Sequence, residues 1–326
     1  MTTYLVTGGA GFIGSHLVEA LLAAGHAVRV LDNFATGRSE NLAAPAARFP
    51  DQLEVVEGDV RAYHLVQASV QGVEIVLHQA ALGSVPRSVA DPLTSNAVNV
   101  SGTLNVLYAA RQAGVQRVVM ASSSSVYGAN PALPKQEDQC PQPRSPYAIS
   151  KLAAEQYALS FWPLCGLETV ALRYFNVFGP RQDPHSQYAA VIPRFIAALL
   201  GGKPLTVHGD GLQSRDFTYV DNVVQANLLA CIAPDAPGQA FNVACGERTT
   251  LLDLVGGLAQ LTGLSPVVVH TPPRSGDVAH SLADIARAHQ VLGYAPAVGF
   301  AEGLRRTLAW FRGEVVDAPP GQRQGG

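Results

Sequence analysis

The chain is poor in charge and in cysteine, and it has no long apolar run. Charged residues make up only 14% of the 326 positions against 48% hydrophobic ones, a balance that excludes an intrinsically disordered chain. The formal net charge of −3 gives no global bias toward nucleic acid or an anionic membrane surface. The four cysteines, Cys140, Cys165, Cys231 and Cys245, are far apart with no Cys-x-x-Cys spacing, which reads as scattered thiols in a reducing compartment. No segment approaches the roughly 20 apolar residues needed to span a bilayer. The first strand signal starts within three residues of Met1, with no room for a signal peptide. These absences predict a soluble, cytoplasmic protein with no nucleic-acid and no membrane partner. There is no internal repeat and no long low-complexity segment.

What is present is organised around the start of the chain. A short apolar strand at 4–7 runs into glycines at Gly8, Gly11 and Gly14, and a helix continues to about residue 24. Glycines at this spacing let the backbone turn sharply and approach a ligand closely, and the unpaired N–H groups of a helix N-terminus favour a pyrophosphate. A second strand at 27–31 ends in Asp32, about where an acidic residue takes a ribose diol, so the pattern predicts NAD rather than NADP. The alternative is a turn needing positive φ, which the ordered series of strand, glycines, helix, strand and terminal acid makes the poorer account.

Further strands are predicted at 53–57, 73–78, 117–121 and 167–174, with helices between them, including one from residue 96 or 97 to about 113. The loop 33–38, with Asn33, Thr36 and Gly37, suits an adenosine ribose. Asp59, next to Val60, is placed to accept the adenine amino group or, alternatively, to cap the helix that follows. Gln79, Ala80, Ala81 and Gly83 lie in a small-residue loop after the fourth strand. Strands alternating with helices imply an α/β fold with a doubly wound parallel sheet of Rossmann type, with ligands at the strands' C-terminal ends. From about 177 proline and glycine recur and loops lengthen, which predicts a smaller mixed α/β substrate lobe. The boundaries expected are 1–176 and 177–326, with short strands at 217–220 and 241–243 returning to the first sheet, and the Gly/Pro/Gln-rich tail from 313 frayed.

Tyr147 and Lys151, four apart, share a helix face, with Ser145 as cap and Pro146 in the first turn. A free phenol is a poor base at neutral pH, but an adjacent ammonium and a cationic nicotinamide both favour the phenolate. The serine run 122–125 follows the fifth strand directly, which puts hydroxyls where such a sheet binds its cofactor.

With these residues in place, the chain resembles the extended short-chain dehydrogenase/reductases, and within them the UDP-hexose 4-epimerases, especially those acting on UDP-N-acetylglucosamine. The resemblance runs from residue 4 to about 311. It rests on TGGAGFIGSHL at 7–17, GDVR at 58–61, SSSSVYG at 122–128, SPYAISK at 145–151 and LRYFNVFG at 172–179. SRDF at 214–217 and RSGD at 274–277 extend it into the second half. It implies Ser123, Tyr147 and Lys151 as catalytic residues. It places Gly8, Gly11, Phe12, Ile13, Gly14, Asp32, Asn33, Thr36, Gly37, Asp59, Val60, Gln79, Ala80, Ala81, Asn99, Tyr147, Lys151 and Phe175 around NAD. On the UDP-sugar side it implies Gly83, Ser84, Ser123, Asn176, Ala190, Val191, Val207, His208, Arg215, Arg274, Asp277 and Ser281, and no metal.

Arg215 and Arg274 would clamp the diphosphate through paired, charge-assisted hydrogen bonds. The implied reaction oxidises the sugar at C4, turns the 4-keto sugar over, and reduces it on the other face. No carboxylate stands in 124–126, unlike related dehydratases and decarboxylases, which disfavours elimination and decarboxylation. The loop HQAALGSVPRS at 78–88 looks more like that of epimerases acting on N-acetylated hexosamines. Ser281, small where hexose-only epimerases tend to carry tyrosine, implies UDP-GlcNAc and UDP-GalNAc as substrates, with UDP-Glc and UDP-Gal as weaker ones. Otherwise Ser281 caps a helix starting near 282. A UDP-glucuronate 4-epimerase and a non-catalytic NAD or UDP-sugar sensor are the alternatives, and the resemblance implies a homodimer.

Overall fold

The structure is a computed structural model that describes residues 1–184, 190–273 and 279–314. The chain begins β1 (Thr3–Thr7), α1 (Phe12–Ala23), β2 (Ala27–Asp32), α2 (Glu40–Arg48), β3 (Leu53–Glu57), α3 (Tyr63–Ser69) and β4 (Ile75–His78). It continues through α4 (Val85–Ala90), α5 (Pro92–Asn96), a π-helical stretch (Ala97–Gly102), α6 (Thr103–Gln112), β5 (Arg117–Ser123), a 3₁₀ turn (Ser124–Tyr127), α7 (Pro146–Cys165) and β6 (Glu168–Tyr174). The second half holds β7 (Val177–Phe178), α8 (Val191–Leu200), β8 (Leu205–His208), β9 (Ser214–Arg215), β10 (Thr218–Tyr219) and α9 (Val220–Ile232). It ends with β11 (Gln239–Val243), β12 (Thr249–Thr250), α10 (Leu251–Thr262), β13 (Val268–Thr271), α11 (Ala286–Leu292) and α12 (Phe300–Phe311).

Seven parallel strands form the central sheet in the order β11-β6-β5-β4-β1-β2-β3. β4 and β5 are buried along almost their whole length, as strands covered on both faces must be. One apolar cluster packs α1 and α9 on one face, and another packs α3, α6 and α7 on the other. The chain leaves β1 toward β2 and β3, then returns to β4 on the opposite side. The crevice at that reversal is where ligands bind in such sheets.

The expected boundary at 177 does not divide the core. β11 pairs with β6 as the outermost sheet strand, and Val223, Ala226, Ala230, Phe241, Leu292 and Tyr294 all belong to the first cluster. The 241–243 expectation is met by β11. The 217–220 expectation is not: β10 pairs with β7, outside the central sheet. The cause is aromatic packing. Phe217 stacks on Phe300 at 5.5 Å and Tyr219 meets Phe178 edge-on at 5.7 Å, both in a third apolar cluster with α8, α10 and α12. All four cysteines are free thiols. Among the described residues no helix is long and apolar enough to cross a membrane.

Candidate active site

A cavity of about 410 Å³ opens along the C-terminal ends of β1 to β6. The turn after β1 sits at one wall. Gly8 has φ +69°, and a Cβ on Gly14 would lie 2.1 Å from the Gly8 carbonyl oxygen, so these positions accept no side chain. Gly11 begins α1 with no side-chain cap and no acidic residue in the first turn. Its leading N–H groups therefore face the cavity without a competing anion, which suits a pyrophosphate.

Asp32, 7% exposed, accepts hydrogen bonds from the Ala10 N–H (2.9 Å) and the Phe34 N–H (2.9 Å). Burial raises its pKa, opposed by those two bonds. Asp59 is paired with Arg61 (2.7 Å) and receives Asn33 Nδ2 (2.7 Å). The Arg61 hydrogen bond is the main reason its pKa falls to about 2. Asp59 also accepts the Arg61 N–H, while α3 begins from Ala62 without a side-chain cap, so the helix-cap alternative fails. The glycine turn, the open helix end and the two carboxylates fit a dinucleotide.

At the far end stand the hydroxyls. Ser145 caps α7 by accepting the Ala148 N–H (3.1 Å), Pro146 follows, and Ser88 accepts the Tyr147 N–H (3.0 Å), so the first turn is fixed from two sides. Tyr147 and Lys151 both line the cavity. Burial raises the Tyr147 pKa, opposed by a hydrogen bond with Ser123. The ammonium expected to depress it is directed elsewhere, because Lys151 Nζ donates to the Ala121 carbonyl (2.6 Å). Burial lowers Lys151 to about 8, opposed by Glu155.

Ser123 ends β5 and accepts from both the N–H (3.2 Å) and the hydroxyl (2.9 Å) of Ser125, which leaves its own proton for the phenol oxygen. Ser122 instead donates to Glu155 (2.5 Å). Asp32 and Asp59 stand at one end of the cavity, and Tyr147 with Lys151 one helical turn away stands at the other. That arrangement can move a proton at a substrate hydroxyl beside a dinucleotide.

A model of the NAD dependent epimerase/dehydratase family matches residues 4–244. The chain belongs to that family. It is 44% identical over 315 residues to the UDP-glucose 4-epimerase of Mycolicibacterium smegmatis, covering 94% of this chain and 98% of that one. The solved UDP-N-acetylglucosamine 4-epimerase of Methanobrevibacter ruminantium M1, in complex with UDP-N-acetylmuramic acid, superposes with a TM-score of 0.91. It has 40% identity over 96% of this chain and 98% of that chain. The UDP-glucose 4-epimerase of Thermus thermophilus in complex with NAD gives 0.86 at 40% identity, covering 96% and 100%.

Of the positions expected around the cofactor in this epimerase/dehydratase fold, most line the cavity: Gly8, Gly11, Phe12, Ile13, Gly14, Asp32, Asn33, Thr36, Asp59, Val60, Gln79, Ala80, Ala81, Tyr147 and Lys151. Three stand behind its wall. Gly37 packs on Ala10, Phe175 is fully buried beside Tyr127, and Asn99 holds the Leu82 backbone (2.7 and 3.1 Å) and the Ser150 hydroxyl (3.0 Å). Asn99 lies in the π-helical stretch, a local widening often found at functional sites. Arg61, Thr94, Val98 and Tyr174 line the cavity without having been singled out as contacts. Thr94 and Val98, four apart on a helical stretch, carried the usable signal.

The expected sugar-nucleotide positions are less gathered. Gly83 lines the cavity. Ser84, at φ +121°, instead caps α4 by accepting the Arg87 N–H (3.2 Å). Asn176, at φ +35°, donates to the Asp216 carbonyl (3.1 Å), and Ala190 precedes Val191 at the start of α8. Val207 is fully buried in the third cluster, and His208 Nδ1 meets the Thr271 hydroxyl at 2.7 Å. Arg215 donates to the carbonyls of Ser214 and Ala279 (3.0 and 3.2 Å). Ser281 pairs its N–H with the Ser214 carbonyl (3.0 Å), which puts it beside the strand carrying Arg215. The next helix starts at Ala286, so Ser281 does not cap it. Arg274 and Asp277 lie outside the described residues.

Proposed function

We propose that the chain is an NAD-dependent UDP-sugar 4-epimerase that interconverts UDP-N-acetylglucosamine and UDP-N-acetylgalactosamine, with UDP-glucose and UDP-galactose as weaker substrates. The observation that carries the chemistry is Tyr147 lining, together with Lys151 one helical turn on, the far end of a cavity that starts at Asp32. Gly8, Gly11, Asp32 and Asp59 would hold the adenosine diphosphate end of NAD, and Lys151 and Tyr147 its other end. When bound, NAD supplies a hydride acceptor and donor, and its oxidised form brings a positive charge near the phenol. Tyr147 takes the C4 hydroxyl proton and later returns it, while Ser123 holds the phenol oxygen in place. Lys151, anchored on the Ala121 carbonyl, contributes positive charge at the same end.

Substrate choice rests on small side chains. Gly83 and Ser281 leave room where a tyrosine would meet an N-acetyl group, and the Methanobrevibacter relative acts on UDP-N-acetylglucosamine by name. Among the described residues of the cavity wall, no cation is left without a protein partner to meet a glucuronate carboxylate. The cations among its described lining residues are Arg61, paired with Asp59, and Lys151, bonded to Ala121. The presence of both Tyr147 and Lys151 favours an enzyme over a sensor. Residues after 177 supply the UDP-sugar side in this proposal, while returning β11, α9 and α11 to the first layer.

We also infer a homodimer through the adjacent helices α6 and α7, whose Tyr108 and Tyr157 are exposed. A coupled assay comparing UDP-GlcNAc, UDP-Glc and UDP-glucuronate tests the substrate assignment. Fastest turnover of UDP-GlcNAc is expected, and preference for the glucuronate would overturn it.

A further inference from the structure

Beneath the candidate site lies a buried ion pair that the chemistry above does not use. Glu155 follows Lys151 by one helical turn and Tyr147 by two, on the same face of α7, and is fully buried. Its carboxylate accepts Arg173 Nη2 (2.7 Å) and Nε (3.0 Å) from β6, and the Ser122 hydroxyl (2.5 Å) from β5. Arg173 Nη1 then donates to the Tyr127 hydroxyl (2.8 Å) and the Glu137 carbonyl (3.0 Å). Tyr127 donates to Asn242 Oδ1 on β11 (2.6 Å), and Asn242 Nδ2 donates to the carbonyls of Lys135 and Asp284 (2.9 and 3.0 Å). Lys135 in turn pairs with 282–284, just beyond Ser281. One connected chain of hydrogen bonds thus runs from the helix of Tyr147 and Lys151, past the serine next to Ser123, to the segment beside the expected sugar pocket.

Buried ion pairs are weak sources of stability, because desolvation of both charges offsets their attraction. Such a pair is better explained by what it fixes in place. We propose that Glu155 is a positioning residue for the epimerisation, holding the Lys151 face of α7 in register with the serine tip of β5 through Ser122 and Arg173. This rests on the roles given above to Tyr147 and Lys151.

The charge of Glu155 also acts on Lys151 directly, opposing the burial that lowers the ammonium's pKa. The other group that feels that ammonium is His78 on β4, held neutral by burial and by Lys151 itself, while Tyr147 stands one turn earlier on α7. Arg173 on β6 faces it across Glu155. Removing the carboxylate should therefore let Lys151 lose its proton at lower pH.

The test uses the full chain, which has only three lysines (Lys135, Lys151 and Lys203), so that their labelled side-chain carbons can be titrated separately by NMR. In Glu155→Gln the Lys151 midpoint should fall by about one pH unit. The alkaline limb of kcat should move with it, and kcat should drop tenfold or more with KM changed less than twofold. The double variant Glu155→Met, Arg173→Met removes both charges, so it leaves no lone buried cation if the single variant fails to fold. It should move the Lys151 midpoint and the alkaline limb in the same direction but by less, because loss of the Arg173 guanidinium also removes a charge that repels the ammonium. A Lys151 midpoint and alkaline limb matching the parent in the folded variants would reduce Glu155 to a structural residue and overturn the proposal. If the parent converts no UDP-sugar, the functional reading fails, while the lysine titration still decides whether Glu155 controls Lys151.

Discussion

At the scale of single residues the proposed chemistry turns on Tyr147. Replacing it with phenylalanine keeps the ring and removes the proton acceptor, so turnover should fall by roughly 10²–10⁴, with UDP affinity unchanged by calorimetry. A variant with near-parental turnover would move the base elsewhere. Ser123→Ala should slow the reaction less than Tyr147→Phe. The neighbour able to take over is not Ser122, whose hydroxyl is committed to Glu155, but Ser125, already bonded to Ser123. Ser123→Ala with Ser125→Ala should therefore cost more than either change alone, measured as kcat in a double-mutant cycle. Ser281→Tyr should suppress turnover of UDP-GlcNAc while sparing UDP-Glc. Equal turnover of UDP-GlcNAc by this variant and the parent would remove the steric argument.

At the scale of elements, β4 ends in a fully packed histidine. His78 is buried between the hydroxyls of Thr7 on β1 (2.7 Å) and Thr103 on α6 (2.9 Å), and burial pushes its pKa down to about 3. The unfolded chain takes up a proton near pH 6.5 that the folded chain refuses. Stability from this group is therefore complete above 6.5 and declines as pH falls toward 3, by about 1.4 kcal/mol per pH unit. Between pH 6.5 and 5 that amounts to about 2 kcal/mol. His16, lowered to about 4 chiefly by burial, adds to the same slope. Urea unfolding at pH 7 and 5 should show this loss, and His78→Asn should show a shallower one. An identical slope in the variant would contradict the burial argument.

How much of each element is legible in the sequence follows from the range of its contacts. The glycine turn, β2 with Asp32, and the Ser145–Pro146 start of α7 announce themselves because their signals are local: positive φ, strand periodicity, capping. The path of 217–220 departs from expectation because strand propensity does not specify a partner, and the aromatic cluster of Phe178, Tyr219 and Phe300 selects β7. The Lys151–Ala121 bond is hidden for a similar reason, since helical spacing puts lysine near tyrosine but does not say which acceptor the ammonium takes. Glu155 and Arg173 carry no sequence signal, because their pairing joins residues 18 apart in sequence on different elements.

At the scale of the whole molecule, a reaction that regenerates its cofactor and a cavity at the ends of six strands suit retention of NAD. Protein purified without added cofactor should release NAD on denaturation, and release of NADP or a flavin would contradict the role of Asp32. The central claim is that C4 is inverted by removing and returning the same hydrogen within one closed site. UDP-GlcNAc carrying deuterium at C4, incubated in ordinary water with the purified protein, tests it directly. The expected product is UDP-GalNAc that retains the deuterium at C4, whereas product with that deuterium replaced by solvent hydrogen, or no epimer at all, would contradict it.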